Sequence, residues 1–381
     1  NPNLKPETTI SKEIGAEVRL LDGRLTADVT YYDKYTRDQI VESELSYLSN
    51  YQRVIINSGK ISNKGWEISV SGVPVKVKNF EWKTIFNWSK NNSMVESLPE
   101  GIDKIQIGSG VYNVKSYAEV GKPYGAIYAK TFKRDAEGYI LCQLDGSPKE
   151  GQDYEYLGCV QADWRGGWNN VFRLGNFSFS VMFDFQKGGK FFSQTSIQSS
   201  VDGQSVKSLE GRDADFFSRK ILGESDEERY GFMRPQNANT PTANGQIYPD
   251  WGRPKGVVLP NCRYDEDVEG LAGQQVLGYC TPERYWMHYT SRDISRFIYD
   301  ASYVKLREIT VSYDLPKKWL RKTPFQTFRV AAVGRNIATL FANTPHGLDP
   351  QATSTTGNAQ GFERGFNLPS ATYGFDIKVS F

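Results

Sequence analysis

The chain has 381 residues with 46 Lys+Arg and 44 Asp+Glu. That formal net charge of +2 gives no electrostatic case for nucleic-acid binding, which uses a clustered basic face. A mean hydropathy of −0.54 and the lack of any apolar run of about 18 residues exclude transmembrane helices, but not a membrane β-barrel, whose alternating strands average to a polar score.

Length alone fits two or three soluble domains or one large all-β domain. Aromatics at 13%, 35 Gly and 4 Met favour β structure over a helix bundle. Strict period-2 alternation then runs along the chain. Ile14, Ala16, Val18 and Leu20 alternate with Gly15, Glu17 and Arg19. Leu25, Ala27, Val29 and Tyr31 follow, opposite Thr26, Asp28, Thr30 and Tyr32. Trp66, Ile68 and Val70 form the next apolar face, and Phe80, Trp82, Phe86 and Trp88 the one after. Weaker patterns cover Trp164–Leu174 and Phe325–Ile337. Phe177, Phe179, Val181, Phe183 and Phe185 oppose Ser178, Ser180, Met182, Asp184 and Gln186. In Ser302–Leu315 the phase slips, and a β-bulge near Arg307-Glu308 accounts for the slip. Tyr373, Phe375, Ile377, Val379 and Phe381 end the chain on one face.

These nine strands mostly approach the length needed to cross a bilayer, whereas soluble sandwich strands are shorter. The connections alternate too. Leu21–Arg24, Pro74–Asn79, Leu174–Asn176 and Pro316–Pro324 are short; Val41–Gly59, Met94–Asp163, Gly188–Ala301 and Phe341–Ala371 are long. Outer-membrane barrels have this asymmetry, with short periplasmic turns and long extracellular loops. The chain opens on Asn1-Pro2-Asn3 without Met or signal peptide and closes on Phe381. We read a start internal to something longer and a natural C-terminus.

Four cysteines fall into two local pairs, Cys142 with Cys159 and Cys262 with Cys280, separated by 16 and 17 residues. Neither spacing is a CxxC pattern. Four unpaired thiols are one reading; two local disulfides in long external loops are the preferred one. Only two histidines occur, His288 and His346, and no P-loop or G-x-S-x-G elbow is present, so nothing points to an enzyme or a resident cofactor. Asp265, Glu266, Asp267 and Glu269 offer a calcium reading, but without EF-hand spacing a solvated acidic loop fits better. Among the loop aromatics, Tyr154, Tyr156, Trp251 and Trp286 are candidates to face a ligand or a lid, while packing within the loops and the interfacial girdle accounts for most such residues.

Motifs along the whole chain carry a resemblance: NPNLKPE at Asn1–Glu7, NSGKISNKGWEISVSG at Asn57–Gly72, the G-x-P-x-G-x-x-Y signature at Gly121–Tyr128, ASYVKLREITVSYDLP at Ala301–Pro316, VGRNIATL at Val333–Leu340, HGLDP at His346–Pro350 and the terminal SATYGFDIKVSF. In this order they resemble the C-terminal part of a SusC/RagA-like TonB-dependent transporter, an outer-membrane family of Bacteroidetes. The resemblance implies an all-β chain, residues 1–381, forming the last part of a barrel of about 22 strands when complete. The plug domain, the TonB-contacting segment and the rest of the barrel would lie outside this chain. It further implies active import of glycans or oligopeptides across a Gram-negative outer membrane. The implied partners are a SusD-like surface lipoprotein, the TonB complex and outer-membrane lipid, and not nucleic acid. The loops Met94–Asp163 and Gly188–Ala301, as the longest, are expected to form the lid-docking surface. The rival reading is a structural or adaptor barrel within a larger envelope assembly.

Overall fold

The computed structural model describes residues 4–44, 53–57, 59–144, 146–209, 257–280, 285–345, 347–352, 357, 360–365 and 370–381. Nine strands form one sheet: β1 (Thr8–Leu20), β2 (Leu25–Arg37), β3 (Lys60–Val77), β4 (Phe80–Ser97), β5 (Trp164–Leu174), β6 (Phe177–Lys187), β7 (Tyr303–Asp314), β8 (Thr327–Ala342) and β9 (Thr372–Ser380). Their order in the sheet is their order in the chain, and each neighbouring pair is antiparallel. Short turns therefore gather at one end of this wall and long connections at the other. Turn chemistry explains the tight end. Gly175 has φ +57 and is followed by Asn176, the glycine-first pattern of a two-residue hairpin loop. Leu21, Asp22 and Gly23 all take positive φ, and Arg24 N–H closes that turn on Leu21 O at 3.0 Å.

Register turns alternation within each strand into two continuous faces. One row across the sheet reads Val18, Ala27, Val70, Phe86, Trp168, Phe183, Leu306 and Ala338. The adjacent row, on the opposite face, reads Glu17, Asp28, Ser69, Asn87, Gly167, Asp184, Lys305 and Thr339. The period of two makes this separation all-or-none, since a slip of one residue in any pair would interleave the faces. The expected bulge is present. Leu306 pairs with Phe183 and Glu308 with Met182, which leaves Arg307 as the extra residue of β7. On the other side, Asn336 of β8 stands near the same irregularity with φ +50.

The wall itself has little core. Its apolar face is open, with Phe375 84% and Ile14 73% exposed. Buried apolar side chains concentrate in the long connections, in three clusters. The first joins Phe132, Ile140, Cys142, Val257, Cys262, Tyr285 and Trp286. The second centres on Ile127, Phe192, Ile197, Phe297 and Phe362. The third sets Ile105, Ile107 and Ala118 against Ile61 and Val95, at the far ends of β3 and β4. The described parts of the connections are thus a folded layer seated on the wall.

Within that layer the cysteines expected to pair lie on separate strands. Cys142 lies on Ile140–Cys142, which pairs in parallel with Val257–Tyr264. Cys159 lies in a different sheet, where its thiol donates to Tyr124 O at 3.5 Å. The two are not bonded to each other. Cys262 stands opposite Val276, and Cys280 stands opposite Val257. The Cys262 thiol donates to Leu259 O at 3.2 Å.

Candidate functional site

Two polar constellations sit where the connections meet the wall. The first grows from the β7 bulge. The polar face carries Asp184 and Lys305 side by side, and the extra residue Arg307 reaches the same place. Arg307 forms an ion pair with Asp184 and donates to Asn336 Oδ1 at 2.7 Å. Lys305 Nζ lies 2.5 and 2.6 Å from the two carboxylate oxygens of Asp349, and 3.0 Å from Gln351 Oε1. Tyr303 Oη donates to Asp184 Oδ2 at 3.2 Å and accepts from Gln351 Nε2 at 2.5 Å. Asp349 belongs to the HGLDP motif, so this network ties the connection between β8 and β9 to the polar face of the wall. Lys305 is nearly buried and is neutralised by its partner, as a buried ammonium requires.

The second constellation lies in the connection between β4 and β5. Four short strands, Lys104–Ser109, Lys115–Glu119, Ala126–Ala129 and Glu155–Cys159, form a small sheet. Its inner face carries Ile105, Ile107, Ala118 and Ile127 into the second and third cores. Its outer face is tyrosine and lysine. Tyr128 packs edge-on against Tyr117, with ring centres 5.1 Å apart, and tilts against Tyr156 at 5.7 Å. Lys122 Nζ donates to Tyr128 Oη at 2.6 Å, lies 4.5 Å from the Tyr156 ring centre and pairs with Glu119 at 3.0 Å. Tyr128 Oη in turn donates to Glu119. Lys104 lies over Tyr117 and Tyr128, and Lys115 over Tyr154 at 4.5 Å. Burial pushes up the Tyr156 phenol, assisted by Glu119 and Cys159.

Elsewhere the layer is braced by satisfied carboxylates. Glu363 is buried and accepts from Ser193 Oγ at 2.6 Å, Thr195 Oγ1 at 2.6 Å and Thr195 N–H at 3.1 Å, at the start of the helix α1 (Gln194–Val201). Asp265 is buried between Lys149 and Lys133, at 2.7 and 2.9 Å. Burial raises its carboxyl, but the two ammonium groups and the Glu266 N–H outweigh burial and bring it down to about 2. Asp267 also pairs with Lys149. Asp265 and Asp267 of the acidic run that suggested calcium are thus paired with lysines, a poor charge environment for a divalent cation.

The sequence candidates divide accordingly. Tyr154 and Tyr156 stand on the outer face of the small sheet, and Tyr156 is 41% exposed. Trp286 does not face outward: it is buried edge-on to Tyr285 at 5.1 Å in the first core. Trp251 lies outside the described residues. Sequence reasoning missed Lys104, Lys115 and Lys122, as well as Lys305 and Asp349. Two signals were available. The G-x-P-x-G-x-x-Y signature contains Lys122 and ends on Tyr128, and Lys115-x-Tyr117 alternates in step with it.

Comparison with known proteins agrees with this architecture. Residues 1–337 match the family model for the TonB dependent receptor-like β-barrel. TonB-dependent receptor P3 of Formosa agariphila is 25% identical over 98% of this chain and 33% of its own length. TonB-dependent receptor SusC of Bacteroides thetaiotaomicron is 29% identical over 27% of this chain and 10% of its own length. The structure of the RagAB peptide transporter covers all of the chain with a TM-score of 0.61 at 16% identity, and the chain covers 36% of it; at that identity the likeness is one of fold. The chain thus spans about a third of the first of these relatives. It belongs to the TonB-dependent receptor β-barrel family, whose barrels sit in the Gram-negative outer membrane.

Proposed function

We propose that this chain is the C-terminal part of the wall of an active importer, working with a SusD-like surface lipoprotein and energised through TonB. The observation that carries this reading is the paired rows: an apolar face suited to lipid backs directly onto a charged face suited to a filled lumen. The similar RagAB is described as a peptide transporter, and the family resemblance implies glycans as well, so oligopeptides and glycans are the two cargo classes in view. In this reading the long connections face the cell exterior. The layers within Met94–Asp163 and Gly188–Ala301 receive the lipoprotein, as rigid scaffolds commonly present functional loops.

The test is growth of cells lacking the full-length protein on single polymers or peptides as sole nutrient. Loss of growth on one class, reproduced by deleting the TonB-contacting segment alone, supports import. Normal growth on every class, with loss of other envelope proteins from the membrane, would favour the adaptor role instead.

A further inference from the structure

The outer face of the Lys104–Cys159 sheet has a composition that transport by itself does not explain. Lys104, Lys115 and Lys122 stand on it, and among the described residues Glu119 is the carboxylate paired with one of them. Glu119 is already engaged by Lys122 and Tyr128. Among the described residues, Lys104 and Lys115 have no carboxylate partner; their ammonium groups rest on tyrosine rings. Glu155 does not compensate, because it pairs across from buried Ala129 and so belongs to the opposite side of the sheet.

Tyr117, Tyr154 and Tyr156 share this face with the two lysines that lack a carboxylate partner among the described residues. Tyr117 and Tyr156 are held by the Tyr128–Glu119–Lys122 cluster, which reduces the ordering left to do when a ligand arrives. Aromatic faces attract the C–H side of sugar rings and ammonium groups attract acids. An extended peptide would instead use main-chain amides at a sheet edge, and the recognition groups here are on the face.

We infer that this tyrosine–lysine face is a binding site for acidic oligosaccharides, with Lys104 and Lys115 meeting carboxylate or sulfate groups and the exposed Tyr156, with Tyr154 beside it, stacking on the sugar rings. The inference rests on the import reading for its biological setting, since it gives the importer a polyanion-selective vestibule. Its physical content stands on the charge excess and the ring geometry.

The experiment uses the full-length protein purified in detergent, without TonB or a proton gradient, so that failure of binding and failure of import are read separately. Acylation of amines, mapped by mass spectrometry, reports Lys104 and Lys115 directly. Both lysines are expected to react in the ligand-free protein. Oligogalacturonate or a sulfated carrageenan oligosaccharide should protect them, the two arms distinguishing carboxylate from sulfate, while maltoheptaose should not. Binding should weaken with salt and fall roughly tenfold in the double variant Lys104→Gln/Lys115→Gln. Tyr156→Ala should weaken it independently, with heat-modified gel mobility showing an intact barrel. Any of four results would overturn the proposal: lysines unreactive before ligand is added, because other polypeptide covers the face; no binding of either acidic saccharide; maltoheptaose or oligo-aspartate bound as tightly as the acidic saccharides; or affinity unchanged in the lysine variant.

Discussion

Asp349 closes on Lys305, placing its two carboxylate oxygens 2.5 and 2.6 Å from the ammonium nitrogen. The contact spans 44 residues of sequence and joins the connection between β8 and β9 to the polar face of β7. It is a buried pair, with 6% and 15% of the two side chains exposed. Removing one partner strands the other charge, at a cost of about 3–5 kcal/mol. Asp349→Ala should therefore release this connection. Limited proteolysis of membrane-embedded protein should cut within residues 341–371 faster than in the parent, while the barrel keeps its heat-modified gel mobility. An unchanged cleavage rate would mean that the pair does not hold the connection.

Two indoles on the apolar face donate to neighbouring side chains instead of to water. Trp82 Nε1 donates to Asn170 Oδ1 at 3.0 Å, and Trp168 Nε1 to Thr84 Oγ1 at 2.9 Å. Asn170 and Thr84 are register partners, so one polar patch serves both rings. Asn170→Val keeps a similar shape but leaves the Trp82 N–H unpaired. Reversible urea unfolding in lipid vesicles should show a loss of about 1–3 kcal/mol. Trp82→Phe in the same background should recover part of that loss, because it removes the stranded donor.

The Asp265 carboxyl supplies a pH dependence. Its value of about 2 in the folded protein lies below that of an unfolded aspartate, so the folded state is favoured wherever the group is ionised. The stabilisation is complete above the unfolded value near 4 and disappears as pH falls towards about 2, amounting to about 2–3 kcal/mol. Hydrogen exchange across Ile140–Cys142 and Val257–Tyr264 should accelerate over that acid window. Lys149→Met should shift the acceleration to higher pH, and a variant that exchanges like the parent would remove Lys149 as the cause.

Substitution on the two faces of β6 should have opposite consequences. Val181 sits mid-strand on the apolar face, between Asn170 and Ile309. Val181→Arg should cost about 2–4 kcal/mol of barrel stability if that face meets the bilayer midplane. Ser180→Arg, one residue away on the polar face, should assemble normally. The comparison is read as the fraction of heat-modifiable protein in the outer membrane.

Much of the wall was legible in the chain because a two-residue period is a local property. Phe177–Phe185 announces its faces, Trp164–Leu174 does so more weakly, and the phase slip at Arg307-Glu308 locates the bulge. The far ends of β3 and β4 were not legible. Around Asn63–Gly65 and Asn91–Ser93 both faces are polar, since these ends pass beyond the apolar band into the folded layer. The layer resisted prediction because its contacts are non-local. Cys142 is near Cys159 in sequence but pairs its strand with Val257–Tyr264. Trp286 and Tyr156 are both loop aromatics, yet one fills a core and the other covers a sheet face, a difference set by partners more than 100 residues away in the first case, such as Phe132.

The two-faced wall is tested most directly by attaching a nitroxide, one position at a time, along residues 177–187 of the full-length protein in lipid bilayers. Collision with dissolved oxygen, which concentrates in the hydrocarbon, should be high at positions 179, 181, 183 and 185 and low at 178, 180, 182 and 184, following the register of β6 with β5 and β7. A reversed alternation would put the polar face against lipid, and no alternation would mean that β6 is not a strand of a membrane barrel at all.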